Sequence, residues 1–283
     1  MIARLPHWIR WLALVVLLGG ATGFGRETKA LAPLRILFVG NSYTYFNSMP
    51  ELVAAVGRHD RGAPRIEVAV ISGPGLTLSQ HVQHGRVQAE IRRGKWDYVV
   101  LQEQSLLGMP VSPDEFADPS QGSPTAFLDA VGALSRAAKQ AGATPVLFNT
   151  WARRERPQTQ AFLDASYVQA AQRHGAKLVP VGTAWQLASA QGVDGLFEPD
   201  GSHPSAVGSY LVASAMYRTL VGREPKPAPT RLASPRLSST GKPLQQRDRV
   251  EVPAKTSRQI WRGVVESLKR CRERFGTLCQ PGA

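Results

Sequence analysis

The stretch Arg35-Ile36-Leu37-Phe38-Val39-Gly40-Asn41-Ser42-Tyr43-Thr44 is an apolar run that breaks abruptly into Gly-Asn-Ser. Such a run followed by turn formers predicts a strand, Arg35 to Val39, that ends in a loop. The same alternation recurs outward from it. Short β-rich runs stand at Ile66 to Ile71, Tyr98 to Leu101, Pro145 to Phe148 and Leu178 to Val181. Between them lie helical patterns at Met49 to Gly57, Gln80 to Arg93, Pro124 to Ala141, Gln158 to His174 and Trp185 to Gln191. Strands alternating with helices predict an α/β fold, a parallel sheet covered on both faces. Ser123 before Pro124 predicts an N-cap with proline at the first helical position, and Gly142 a helix stop.

A last body helix is expected from Ser205 to Val221, amphipathic through Leu211, Ala215, Met216 and Leu220. Residues 222–256 are rich in Pro, Ser, Lys and Arg without hydrophobic periodicity, which predicts an extended linker. Ser257 then caps a final helix within 257–283, with Ile260, Trp261, Val264, Val265, Leu268 and Phe275 at helical spacing. The expected organisation is therefore a body at 31–221 and a tail separable from its chemistry. At the other end, residues 1–30 read as an export signal: Arg4 and Arg10 form a basic region, Trp11 to Leu18 an apolar one, and small residues follow from Gly19 to Gly25. The expected location is periplasmic or extracellular.

The chain has 283 residues, is 43% hydrophobic and carries a net charge of +13. Spread over the fold, that charge would suggest a nucleic-acid partner. It is concentrated instead. Residues 222–283 hold 14 Lys and Arg against 5 Asp and Glu, while residues 31–221 hold 16 against 15. The charge thus points to no nucleic acid, and suggests that the basic tail associates with an anionic envelope surface. The two cysteines, Cys271 and Cys279, exclude a cysteine-rich zinc site; in an oxidising compartment they can pair, and otherwise they are two thiols of the tail.

In an open parallel sheet, sites form beyond the carboxyl ends of the strands. Four polar segments fall there. The first strand leads into Ser42, whose hydroxyl and amide can face a cleft. The second ends in Ser72-Gly73-Pro74-Gly75-Leu76-Thr77, where a glycine lets backbone approach a ligand. The third ends in Gln102-Glu103-Gln104-Ser105, whose amides can donate to an oxyanion. Finally, Asp200-Gly201-Ser202-His203-Pro204 offers a base and an acid from one loop, as a nucleophilic serine requires. His81 and His84 stand three apart on an expected helix, but no further ligand pattern makes them a metal site.

These four segments, in this order, resemble the sequence blocks of the SGNH or GDSL-like hydrolase superfamily over about residues 33–221. The resemblance implies Ser42 as nucleophile with Asp200 and His203 completing a catalytic triad, and Ser42, Gly75 and Gln104 as the oxyanion hole. It further implies a flavodoxin-like three-layer α/β/α sandwich with a five-stranded parallel sheet, and acyl transfer that needs no metal or organic cofactor. Two departures stand out: Asn41 replaces the aspartate of the founding motif, and glutamines replace the block-three asparagine. Either Gln102 or Gln104 can supply that amide, and position favours Gln104.

For the substrate, Gln102, Trp151 and Arg153 are the candidate contacts, with Trp151 stacking on a sugar and Arg153 pairing with an acidic group. A packed tryptophan and a solvated arginine are the competing reading. Deacetylation of a glycan is the first expectation. A lipid or small-ester hydrolase, an O-acyltransferase and a non-catalytic ligand-binding module of the same fold remain alternatives. The loop from Leu106 to Gly122 is long enough to cover the site.

Overall fold

A computed structural model describes residues 31–107 and 122–280. Five strands, β1 (Leu34–Gly40), β2 (Ile66–Ser72), β3 (Tyr98–Leu101), β4 (Thr144–Asn149) and β5 (Lys177–Pro180), form one sheet in the order β2-β1-β3-β4-β5. Every pairing is parallel, with Phe38 beside Val70 on one side and Val100 on the other. Order reverses at β1, and the loops after β1 and β3 meet there, where ligands of such sheets bind.

Period-two alternation splits the strand side chains between two cores. Ile36, Phe38, Val100, Val146, Phe148 and Val179 face one layer. That layer holds α2 (Met49–Arg58), α7 (Val181–Ala190) and α8 (Ala206–Val221). Leu37, Val39, Val99, Leu101, Leu147 and Leu178 face the other. There lie α3 (Leu78–His84), α4 (Arg86–Arg93), α5 (Pro124–Gln140) and α6 (Gln160–His174). The result is the three-layer α/β/α sandwich expected from sequence. A short helix, α1 (Ser42–Tyr45), and a 3₁₀ turn at Phe46–Ser48 join β1 to α2.

Local signals set several boundaries. Ser123 Oγ accepts from Ala126 N–H at 3.1 Å and caps α5. The single helix expected at Gln80 to Arg93 is two, because Gly85 adopts a left-handed φ of 68°. Val181, expected in a strand, opens α7, which follows β5 without a loop.

The segment 222–256 is a correction. In place of an extended linker it forms an antiparallel hairpin, β6 (Arg231–Leu237) and β7 (Pro243–Glu251). Few of its residues are buried: Leu232 and Ser234 alternate on β6, Leu237 follows a register shift, and Val250 stands alone on β7. Arginines occupy much of the other face, so composition masks the period of two. The last helix, α9 (Ala254–Phe275), starts three residues before Ser257. Ser257 is buried; its hydroxyl lies 2.9 Å from Tyr210 Oη, to which Trp261 Nε1 also donates at 2.9 Å. The expected separable tail is thus packed into the core through Ile260, Trp261, Val264 and Leu268. Cys271 and Cys279 form a disulfide. Among the described residues, no helix is long and apolar enough to cross a membrane.

Candidate active site

Gly40 ends β1 where only a glycine fits: an added Cβ would collide with Gln102 Oε1 and Thr44 Oγ1. The chain then turns. Asn41 caps α1 through its Oδ1, which accepts from Tyr43 N–H at 3.1 Å, while its Nδ2 donates to Leu76 O at 3.0 Å. Asn41 therefore ties the turn after β1 to the loop after β2. Ser42, the first residue of α1, is half-buried, and its amide has no acceptor within the helix.

From the loop before α8, His203 reaches Ser42. Its Nε2 lies 2.8 Å from Ser42 Oγ, and its Nδ1 lies 2.5 Å from Asp200 Oδ2. The other Asp200 oxygen accepts from the Ser202 and His203 amides at 2.9 and 3.0 Å. Partial burial disfavours the Asp200 charge, but the His203 ring and these two amides outweigh it and hold the carboxyl down at about 2. The carboxylate is thus ionised across the ordinary pH range. A hydroxyl on one imidazole nitrogen and a carboxylate on the other is the arrangement in which the imidazole can take the hydroxyl proton.

Four residues without a motif of their own hold this loop in place. Phe46 stacks on His203 with ring centroids 4.3 Å apart. Tyr43 meets His203 edge-on, stacks on Trp151 at 4.6 Å, and its hydroxyl lies 2.8 Å from Ser202 Oγ. Burial pushes the Tyr43 phenol up, keeping it neutral. Asn47 donates to Pro204 O and Ser209 Oγ, both at 3.0 Å. Asn47 and Ser48 both take left-handed φ values, 50° and 54°, which cost roughly 1 kcal/mol or more for a non-glycine residue. Contacts offset that strain. Ser48 Oγ donates to Asp248 Oδ2 at 2.6 Å and accepts from Leu237 N–H at 2.8 Å, so the hairpin braces the turn beside His203.

A protein from Slackia heliotrinireducens assigned to the SGNH hydrolases is similar in structure and sequence: 31% identical, TM-score 0.54, the match covering 66% of this chain and 98% of that one. The chain belongs to the SGNH hydrolases. Two further structures share its fold at lower identity. TesA is 19% identical with a TM-score of 0.51, over 65% of this chain and 96% of its own. A catalytic mutant of Axe2, an acetylxylan esterase from Geobacillus stearothermophilus, is 14% identical with a TM-score of 0.53, over 66% and 94%. No family model matches the chain, and no curated protein matches it in sequence.

In this SGNH hydrolase the structure brings Ser42, Asp200 and His203 together and sorts the remaining candidates. Gly75 is exposed in the turn after β2; its φ of 66° calls for glycine, whereas an added Cβ would meet nothing within 4 Å. Gln104 follows the end of β3, nearly buried, with Oε1 accepting from Leu106 N–H at 2.6 Å. Gln102 does not face a ligand. It is fully buried, its Oε1 accepts from Asn41 N–H at 3.0 Å and Thr44 Oγ1 at 2.7 Å, and its Nε2 donates to Glu103 O. It braces the turn from below, which corrects its candidacy as a substrate contact or oxyanion donor. Trp151 is corrected likewise. Fully buried between Tyr43 and Trp185, it donates to Ser202 O at 3.0 Å and supports the Asp200–His203 loop. Arg153 is half-buried and donates to Ser105 Oγ at 3.2 Å beside Tyr43.

Glu103 lies between these glutamines. Burial pushes its carboxyl up to about 7, against the Gln104 and Leu78 amides that stabilise the charge. His81 is buried with Nε2 2.9 Å from Gly40 O, and burial pushes its pKa down. It packs against the turn that carries Ser42. The expected covering loop falls largely in 108–121, outside the described residues.

The sequence offered no signal for Phe46, Ser48 or Asp248. Stacking on His203 and bracing across 200 residues of chain have no local pattern, and Ser202 stood within a quoted motif without an evident task.

Proposed function

We propose that this SGNH hydrolase cleaves carboxylic esters through a Ser42 acyl-enzyme, and that its substrate is an acetylated glycan met outside the cytoplasm. The hydrogen-bonded line Ser42 Oγ, His203 Nε2, His203 Nδ1, Asp200 Oδ2 carries the reading. His203 takes the Ser42 proton as Oγ attacks the ester carbonyl, and the ionised Asp200 stabilises the imidazolium. The imidazolium then protonates the leaving alcohol. In the second half, His203 takes a proton from water as it attacks the acyl-enzyme, then returns that proton to Ser42 Oγ as the C–Oγ bond breaks and the acid leaves. The Ser42 amide, the Gly75 amide and the Gln104 side chain serve as oxyanion donors.

Exposure supports a large substrate. Ser42 and His203 are half-buried and the Asp200 carboxylate is 48% exposed, so the reacting groups stand where a polymer can reach them. The apolar region and small residues of positions 1–30 support export.

The test is Ser42→Ala with acetate release from a panel of acetylated polysaccharides, beside chromogenic esters of rising chain length. The variant should fold and lose nearly all turnover, and a fluorophosphonate should label wild type at Ser42 alone. An active alanine variant, or labelling elsewhere, removes the assignment. Acylated acceptor without free acetate would make the enzyme a transferase.

A further inference from the structure

Away from Ser42, a cleft of about 560 Å³ opens between the C-terminal end of α2 and the β6–β7 hairpin. Arg58, Arg231, Arg247, Arg249 and His59 line it against one carboxylate, Glu251. That carboxylate is already engaged by Arg231 at 2.7 Å. Arg58 donates to Ala233 O at 2.8 Å and pins the helix end to β6, which fixes the walls. Arg247 and Arg249 remain exposed. The Arg249 side chain makes no hydrogen bond or ion pair among the described residues, and the charge of Arg247 favours the ionised form of the nearby Glu51.

The pairing register sets these charges in a row. Arg231 lies opposite Glu251, Ala233 opposite Arg249 and Pro235 opposite Arg247. At roughly 3.3 Å per residue the row runs about 13 Å along the hairpin. A single small anion cannot span it; a chain with repeated anions can. Guanidinium groups favour carboxylate and phosphate through paired hydrogen bonds. The cleft is concave, which suits a chain better than a flat bilayer. Its lining has no Phe, Tyr or Trp, the usual platforms for single-stranded nucleic acid. Toward its other end the same hairpin reaches Ser48, next to the Phe46 that stacks on His203.

We propose that this cleft binds an extended anionic glycan, whose carboxylates or phosphates pair with Arg247 and Arg249. The anionic character rests on the cleft itself; that the chain is a glycan rests on the catalytic reading above. Fluorescence anisotropy with labelled oligogalacturonate and a labelled phosphorylated mannan tests it on the full chain. At least one probe should bind, with an affinity that falls as salt rises. Arg247→Gln/Arg249→Gln should weaken that binding about tenfold or more at an unchanged melting temperature. Arg249→Gln alone gives the same reading should the double variant unfold early. Arg262→Gln/Lys269→Gln on α9 removes equal charge and should leave affinity within about twofold. Equal losses in both double variants would reduce the effect to overall charge and overturn the site, as would equal binding of a neutral galactan or no binding of either acidic probe. Phosphatidylglycerol vesicles, polyglutamate or a deoxyoligonucleotide bound through Arg247 and Arg249 in place of the glycans would assign another partner. Because binding is read without turnover, an inactive esterase assay bears on the catalytic reading alone.

Discussion

The carboxyl end of the parallel sheet and the C-terminal hairpin with α9 differ in how they carry their information. At the sheet, short segments deliver the polar residues: Asp200 and His203 are three residues apart in the loop before α8, and the Ser42 turn follows β1 directly. In the C-terminal region the same residues serve two ends. A few positions of the hairpin face the core while arginines cover the outside, and Asp248 reaches back to Ser48. A region that looks dispensable by composition is therefore part of the frame that holds His203.

The sharpest way to break this comparison is to delete residues 223–283. Leu232, Val250, Ile260, Trp261, Val264 and Leu268 are buried. Each is worth about 1.5–3 kcal/mol, against whole-domain stabilities of about 5–15 kcal/mol. The truncate should lose its cooperative unfolding transition in circular dichroism; a folded, active truncate would show that the tail is separable after all.

On the sheet side, Gln104→Ala should lower kcat about 10²- to 10³-fold with KM little changed, since an oxyanion donor acts on charge present only in the transition state. Gln102→Ala is its matched control. Its main effect should be a lower melting temperature, because Asn41 N–H and Thr44 Oγ1 lose their acceptor. Steady-state kinetics beside thermal melts separate the two, and a kcat loss confined to Gln102→Ala would reverse their roles.

Glu103 gives a pH-dependent measure of the same strand end. Its carboxyl sits at about 7 when folded against an ordinary 4.5, so the native state holds the proton more tightly. Stability should therefore fall as pH rises from about 4.5 to about 7, by about 3 kcal/mol at most. Glu103→Gln should flatten that slope in urea titrations across the window. An unchanged slope would mean that Glu103 is ionised without cost.

The smallest effect belongs to the bridge between the two regions. Asp248→Ala removes the acceptor of Ser48 Oγ and should cost about 1–3 kcal/mol of stability. Because Phe46 beside it stacks on His203, kcat on a chromogenic acetate should also fall about tenfold, with KM unchanged. Loss of stability at full kcat would confine Asp248 to holding the fold.

Strand periodicity, the N-cap at Ser123 and the order of polar segments sufficed to read five parallel strands and their covering helices, because neighbours in sequence set those features. The Ser42, Asp200 and His203 candidates were legible for the same reason. Tertiary structure alone decided the rest. Gln102 and Gln104 share a strand-end face by period, and only packing beneath Gly40 buries the first. Trp151 reads equally as a sugar platform or a core ring until Tyr43 and Trp185 stack on it. The hairpin escaped notice because most of its residues meet water, and the few that are buried meet α2, far away in the chain, and α8. Hydrophobic pattern records which side of an element is buried; which partner buries it, across 200 residues, is settled by shape and hydrogen bonding in the folded chain.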